Sequence, residues 1–527
     1  MQRSASAPSG DTQTKRPNIL LIVADDLGYA DLGIFGSEIP TPNIDALAKN
    51  GMLFTNFYAH MACSPTRAML MSGTDSHLAG LGVMNPSTDP AQAGQPGYES
   101  YLNFRVASMA NLMKDAGYHT YMTGKWHLGH TVETGPRARG FEKSFVSIDG
   151  AAHLGGLSWN GPGLAPYRDG EEMVTVGEDF YTTRFYTERM IDYIEGGRED
   201  DKPFFAYLAY TAPHWPLQAP RASIEKFSGQ YDDGYEALYK RRFASMKERG
   251  FIPADAEELP PVEGQPAWED LTEEEQRIES RKMEIYAAMV SELDAYIGRV
   301  IDYLKSIDEF DNTFIFFMSD NGPEAIRRDL APPISDWVAE CCDNSYDNLG
   351  NSDSYVMYGP NWARASSVAF HGAKMTAFDG GIHVPAFAHY PDLVSSGERN
   401  SQFVTVMDVL PTFMDLADAS LPDGAYRGRT VFPVKGSSIL ATLEDPQASI
   451  HDTSDAVGWE LYGHKALRQG DWKLVWDATD QDDASWRLYN IAQDPQEQND
   501  LSSTERRRLN AMLSLWETYH EENGLRP

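Results

Sequence analysis

Cysteine is almost absent from this chain: Cys63, Cys341 and Cys342 are the whole complement in 527 residues. Three thiols cannot all pair, and adjacent cysteines rarely bridge without strain. A disulfide scaffold is therefore excluded, and a reducing compartment is expected. Long apolar runs are missing too. None approaches the ~18–20 residues of a spanning helix. The polar start and the short run Ile19–Ala24, which abuts Asp25 and Asp26, do not read as a signal segment. The expectation is a cytoplasmic protein with no membrane partner. Basic residues are scarce: 44 Lys and Arg against 78 Asp and Glu leave a formal charge of −34. Such a surface repels nucleic acid and anionic lipid, so nucleic acid is not expected as a partner. It also poses a problem. If the ligand is an anion, its site must gather positive charge against the field of the whole molecule.

What is present is a globular core. Hydrophobic residues make up 42% and aromatics 11%, which excludes a mainly disordered chain. Residues 1–16 are Ser-, Pro- and Thr-rich and read as a flexible tail. The runs Ile19–Ala24, Phe204–Leu208 and Thr313–Met318, with the weaker Tyr118–Met122, have the length and composition of strands buried on both faces. Helical stretches separate them. The clearest spans about Thr272 to Lys305, with Thr272 and Glu275 placed for a capping box and an apolar stripe through Ile285, Met289, Leu293, Ile297, Val300 and Leu304. Alternating strands and helices predict an α/β fold on a mostly parallel sheet, over residues 17–428. From 429 to 527 the pattern changes to short strands at Lys465–Arg468, Trp472–Trp476 and Leu488–Ile491, then a helix from about Ser503 to Glu521. That predicts a small α+β domain with an antiparallel sheet.

Polar residues follow the predicted strands in a telling way. Asp25 and Asp26 follow the first, Lys125 and His127 the second, His214 the third, and Asp320 and Asn321 the fourth. Open α/β sheets bind ligands at the carboxyl ends of their strands. Asp25, Asp26, Asp320 and Asn321 offer only oxygen donors, which suit Ca²⁺ or Mg²⁺. Either pair alone reads more readily as turn or capping chemistry; four donors at one edge favour a metal. His214 lies in the rigid frame Pro213-His214-Trp215-Pro216. In Cys63-Ser64-Pro65-Thr66-Arg67, Pro65 suits a first helical turn, which puts Cys63 at a helix N-terminus with Arg67 one turn on. That position lowers a thiol pKa and binds anions. A buried structural cysteine is the other reading. Lys374, before the turn Asp379-Gly380-Gly381, has no privilege by pattern.

Cys63-Ser64-Pro65-Thr66-Arg67 with Ser72-Gly73, and Gly124-Lys125-Trp126-His127-Leu128-Gly129, resemble the two signatures of the formylglycine-dependent (type I) sulfatases. The stretches around His214, Asp320 and Leu488–Pro495 are similar to further family segments, and the likeness is strongest to bacterial arylsulfatases. The resemblance implies an alkaline-phosphatase-like α/β domain. It implies an arylsulfatase that cleaves small-molecule sulfate monoesters to an alcohol and inorganic sulfate, through a sulfated hemiacetal intermediate. A separate maturation enzyme would oxidise Cys63 to formylglycine, whose hydrate is the nucleophile. Asp25, Asp26, Asp320 and Asn321 would hold the metal, usually Ca²⁺. Arg67 would hold the formylglycine, Lys125 and Lys374 the sulfate oxygens. Asp320 would help deprotonate the attacking hydroxyl, His214 would protonate the leaving oxygen, and His127 would accept the proton whose loss expels sulfate. Two alternatives share the scaffold: a phosphonate monoester or phosphodiester hydrolase, and a non-catalytic sulfate- or sugar-binding module. One departure stands out. Thr74-Asp75 follows Gly73 where many family members carry Arg.

Overall fold

The computed structural model describes residues 15–84, 90–150, 152–159, 161–479 and 485–526. Most of the predicted tail, residues 1–14, lies outside them. Lys15 and Arg16 contact the Glu309 carboxylate and the Ala116 carbonyl.

A ten-stranded sheet organises the chain. In chain order its strands are β1 (Asn18–Ala24), β2 (Met52–Phe54), β3 (His119–Lys125), β4 (Lys143–Ser147), β5 (Tyr167–Asp169), β6 (Glu172–Val174), β7 (Phe204–Ala209), β8 (Thr313–Ser319), β9 (Ala386–His389) and β10 (Glu398–Asn400). Across the sheet the order is β10-β2-β9-β8-β1-β7-β3-β4-β5-β6. The middle five, β8-β1-β7-β3-β4, are parallel. β9 runs antiparallel to both neighbours, and β5 and β6 close the other edge antiparallel. The sheet is mixed and mostly parallel. Alternate side chains explain why its central strands are apolar throughout. Leu20 and Ile22 enter one buried cluster, while Ile19, Leu21 and Val23 enter the cluster on the opposite face.

Helices cover both faces. The longest, Glu273–Ser306, starts at the predicted capping box: Thr272 Oγ1 accepts from the Glu275 amide and the Glu275 carboxylate accepts from the Thr272 amide. A ten-residue helix, α1 (Cys63–Ser72), is buried along its whole length. The C-terminal antiparallel sheet has four strands, β11 (Ala456–Leu461), β12 (His464–Gln469), β13 (Trp472–Trp476) and β14 (Arg487–Asn490), in sequential order. Sequence reading had missed β11. The final helix, Arg506–Asn523, packs Leu509, Met512 and Trp516 on Leu467, Leu474 and Leu488 of that sheet.

Cys341 and Cys342 are bonded to each other, which corrects the expectation that adjacent cysteines stay unpaired. No helix among the described residues is long and apolar enough to cross a membrane.

Candidate active site

Because β1, β7, β3 and β8 are parallel neighbours, the segments leaving their carboxyl ends open onto one edge. Asp25 and Asp26 follow β1, Asp320 and Asn321 follow β8, Lys125 ends β3, and His214 lies five residues past β7. Backbone detail supports this placement. A Cβ on Gly124 would sit 1.7 Å from the Ala209 carbonyl oxygen, so only glycine lets β3 approach β7 just before Lys125. Asp26 and His127 are held at φ 66° and 54°, which costs non-glycine residues energy and re-aims their side chains.

Two lysines sit on two aspartates. Lys125 Nζ donates to both oxygens of Asp25, at 3.0 and 2.7 Å, and Lys374 Nζ lies 2.8 and 2.9 Å from the two oxygens of Asp26. Arg67 is fully buried. Its Nε donates to Asp320 Oδ2 at 2.9 Å and its Nη1 to the Lys125 carbonyl at 2.9 Å. Cys63 Sγ is 3.8 Å from Asp26 Oδ1, and His214 Nε2 is 3.6 Å from Asp26 Oδ2. Nine of the ten residues singled out in the sequence are thus joined by direct contacts, directly or through one another. These include Asn321, whose amide donates to Asp26 Oδ1 at 2.7 Å. His127 is the tenth. It is buried near Lys125, with no hydrogen-bond partner for either ring nitrogen among the described residues.

The electrostatics are those of crowded charges. Burial raises a carboxyl pKa, yet the charges of Lys125, Arg67 and Lys374 outweigh it and hold Asp25 well below its usual range. For Asp26 burial wins. Lys374 opposes it, but neighbouring Asp25, Glu324 and Asp320 add to it, and the group is pushed up to about 7. Burial and then Lys374 keep His214 neutral, well below the usual imidazole range, and burial and Lys125 lower His127 to about 3. The helix N-terminus was expected to lower the Cys63 pKa. Burial, with the charges of Asp25 and Asp320, drives it well up instead.

The donor set fits a hard divalent cation. Ligand atoms of Asp25, Asp26, Cys63 and His214 lie within 4.8 Å of one another. A thiol held protonated is a poor ligand, so the oxygen donors are the stronger set. Asp320 is buried in the same cluster, and Asn321 Oδ1 is buried without a hydrogen-bond partner among the described residues. Such an orphaned oxygen is costly unless something accepts it as a ligand.

Two neighbours, Glu324 and His153, carried no sequence signal. Glu324 accepts from the Trp215 indole at 3.3 Å and pairs with Lys374 at 3.3 Å. His153 Nε2 lies 2.6 Å from the His214 carbonyl oxygen. The ring of Trp159 is edge-on to His214 at 5.4 Å and 4.8 Å from Trp215, and the Tyr355 hydroxyl donates to the Trp159 carbonyl. Tyr358 stacks on Tyr286 and lines a small cavity with Asp26 and His214. Trp362 packs on Tyr235 and Trp268 in the core, and Tyr346 covers Arg277.

Comparison with known proteins places this geometry. The Sulfatase family model matches residues 17–419, and a model described as N-sulphoglucosamine sulphohydrolase, C-terminal, matches 371–519. An uncharacterized sulfatase of Schizosaccharomyces pombe is 42% identical over 97% of this chain and 95% of its own length. An arylsulfatase of Klebsiella aerogenes is 38% identical over 81% of this chain and 92% of its own. The solved structure of Ps i-CgsB in complex with k-i-k-neocarrahexaose has a TM-score of 0.69 at 24% identity, covering 96% of this chain and 93% of that one, a likeness of fold. Fold, extent of match and identity agree: the chain belongs to the type I sulfatase family and is a sulfuric ester hydrolase.

Proposed function

We propose that this enzyme is an arylsulfatase whose nucleophile is made from Cys63. The observation that carries this reading is the convergence of Cys63, at the N-terminus of α1, with buried Asp25 and Asp26 and with the cations Lys125 and Lys374 that sit on them. When present, the divalent cation held by Asp25, Asp26, Asp320 and Asn321 supplies positive charge, and the hydrated formylglycine at position 63 supplies the attacking hydroxyl. The remaining roles belong to the side chains. Lys125 and Lys374 bind the sulfate oxygens and counter the charge that grows in the transition state. Arg67 fixes Asp320, which assists deprotonation of the hydroxyl. His214 gives a proton to the leaving oxygen. Its resting neutrality is consistent with this, because an anionic ester between the two lysines cancels part of their repulsion and raises its proton affinity. His127, neutral and without a hydrogen-bond partner among the described residues, would accept the proton whose loss releases sulfate. A maturation enzyme is required as a partner.

The wall of Trp159, Trp215 and Tyr355 beside His214 supports an aromatic leaving group, and the Klebsiella relative is an arylsulfatase. The test is a panel of aryl, alkyl and carbohydrate sulfates with a phosphonate monoester. The aryl sulfates should give the highest kcat/KM. A higher value for a carbohydrate sulfate would overturn the aryl assignment, and a higher value for the phosphonate the sulfatase assignment.

A further inference from the structure

A second cationic site lies apart from the first and shares no residue with it. The two-residue strands Ala425–Tyr426 and Arg429–Thr430 form a hairpin that closes over a cavity of about 230 Å³, lined by Phe104, Asn111, Arg139, Tyr426, Arg427 and Arg429 among others. Arg139 is 2% exposed. Its Nη2 donates to the Val106 carbonyl at 3.1 Å, and its Nε has no acceptor among the described residues. Among the described residues no carboxylate pairs with it. A buried guanidinium without a counter-charge is costly; the still more buried Arg67 and Arg242 are each paired, Arg67 with Asp320 at 2.7 Å and Arg242 with Asp31 at 2.7 Å and Glu38 at 2.9 Å.

Arg429 makes the imbalance greater. Arg139 and Arg429 each stack 4.9 Å from the centroid of the Phe104 ring. The ring takes the faces of the guanidiniums and leaves N–H edges for another acceptor. Arg429 has no carboxylate partner among the described residues either. The nearby carboxylates serve other cations. Asp115 pairs with Arg427, which also donates to Asn111 Oδ1 at 3.2 Å, and Glu99 pairs with Arg105. Burial and the Arg429 charge lower Arg139 to about 10, a displacement that an anion in the cavity would reverse. In a chain of charge −34, two uncompensated arginines on one cavity are conspicuous.

We propose that this cavity is a binding site for a tetrahedral oxyanion of the sulfate type, held by Arg139 and Arg429. Guanidinium edges match such oxygens in bidentate geometry. The ligand comes either free, as the inorganic sulfate the enzyme releases, or as a sulfate group still carried on a larger molecule. The site assignment itself rests on the unpaired arginines and the cavity and stands whichever ester the enzyme prefers.

Thermal unfolding of the mature, metal-loaded enzyme is followed in sodium sulfate and in sodium chloride at equal ionic strength. Arg429→Ser and Arg139→Met are compared with wild type, and the inhibition constant of sulfate against turnover is measured for each. Wild type should gain Tm with sulfate beyond the chloride control. Arg429→Ser, a change at an exposed position, should weaken the sulfate concentration needed by about tenfold or more while leaving the inhibition constant unchanged. Arg139→Met should be at least as stable as wild type in chloride and should lose the part of the sulfate response that binding at the active site, read from the inhibition constant, does not account for. A repeat with methyl sulfate separates the sources. A response to the dianion alone marks free sulfate, and an equal or larger response to the ester marks a carried group. Equal sulfate stabilisation of wild type and Arg429→Ser would overturn the proposal, whether or not Arg139→Met folds, and so would no response in wild type.

Discussion

At the scale of single residues, the lysines decide how the site waits for its substrate. Lys125 and Lys374 are paired with Asp25 and Asp26 in the resting structure, so in the proposed mechanism an incoming sulfate monoester would share them with the aspartates. His214 is neutral first because it is buried and then because Lys374 is close. If it protonates the leaving oxygen, His214→Ala should cost about 10²–10⁴-fold in kcat for esters with poor leaving groups. Activated nitrophenyl esters should lose far less, and a leaving-group series in both proteins measures the difference. Equal losses across the series would remove the general-acid role. Most of the residues gathered here stood out in the sequence because they occupy strand ends and specific motifs; Lys374 occupies neither, and only the family resemblance pointed to it. Glu324 and His153 were not, because a loop carboxylate and a single histidine carry no periodicity. Their importance lies in a 3.3 Å contact with Lys374 and a 2.6 Å contact with the His214 carbonyl, which only the fold creates. The Cys63 thiol was misjudged because helix position is visible in the sequence, whereas burial among carboxylates is not.

At the scale of elements, the departure at Thr74-Asp75 has a physical use. Asp75 lies just past α1, and its carboxylate holds the His77 imidazole at 3.1 Å and accepts from the Tyr519 hydroxyl of the last helix at 2.7 Å. The other ring nitrogen of His77 meets Glu460 of β11 at 3.1 Å. A buried carboxylate–imidazole–carboxylate bridge therefore ties the helix that carries Cys63 to the C-terminal sheet and helix. Burial opposes charge on His77, but the two carboxylates prevail and raise its pKa to about 9, while Asp75 is lowered to about 2. The His77 contribution to stability is fully present below its unfolded value of about 6.5 and is lost as pH rises through about 9. The Asp75 contribution is present above about 4 and is lost as pH falls through about 2. The stability difference between wild type and His77→Gln should thus be flat from about pH 4 to 6.5, at roughly 3 kcal/mol, and should shrink towards pH 9. Chemical denaturation across that range checks it, and a difference independent of pH would contradict the bridge. The elements themselves were read well where apolar runs were long. β11 was missed because Ala456–Leu461 contains Gly458 and Glu460 and is half covered by Tyr519.

At the scale of the whole molecule, a chain of charge −34 has a buried cluster of cations for an anionic ester. Long-range repulsion should slow encounter, and salt should screen it. Raising ionic strength from about 0.01 to 0.15 M with a non-binding salt should therefore increase kcat/KM for an aryl sulfate several-fold, with kcat little changed. A decrease would mean that local cations, not the net charge, govern approach. The overall architecture was accessible because buried parallel strands have an all-apolar signature. The antiparallel β9 and the short edge strands were not, since three or four residues carry little pattern.

The central claim is that position 63 is the nucleophile only after its sulfur has been replaced. Peptide mass spectrometry of active enzyme, titrated against specific activity in preparations matured to different extents, tests this most directly. The account predicts that the peptide containing Cys63 loses sulfur and two hydrogens and gains one oxygen, and that activity rises in proportion to the converted fraction. A fully active preparation with the thiol intact at Cys63 would contradict it.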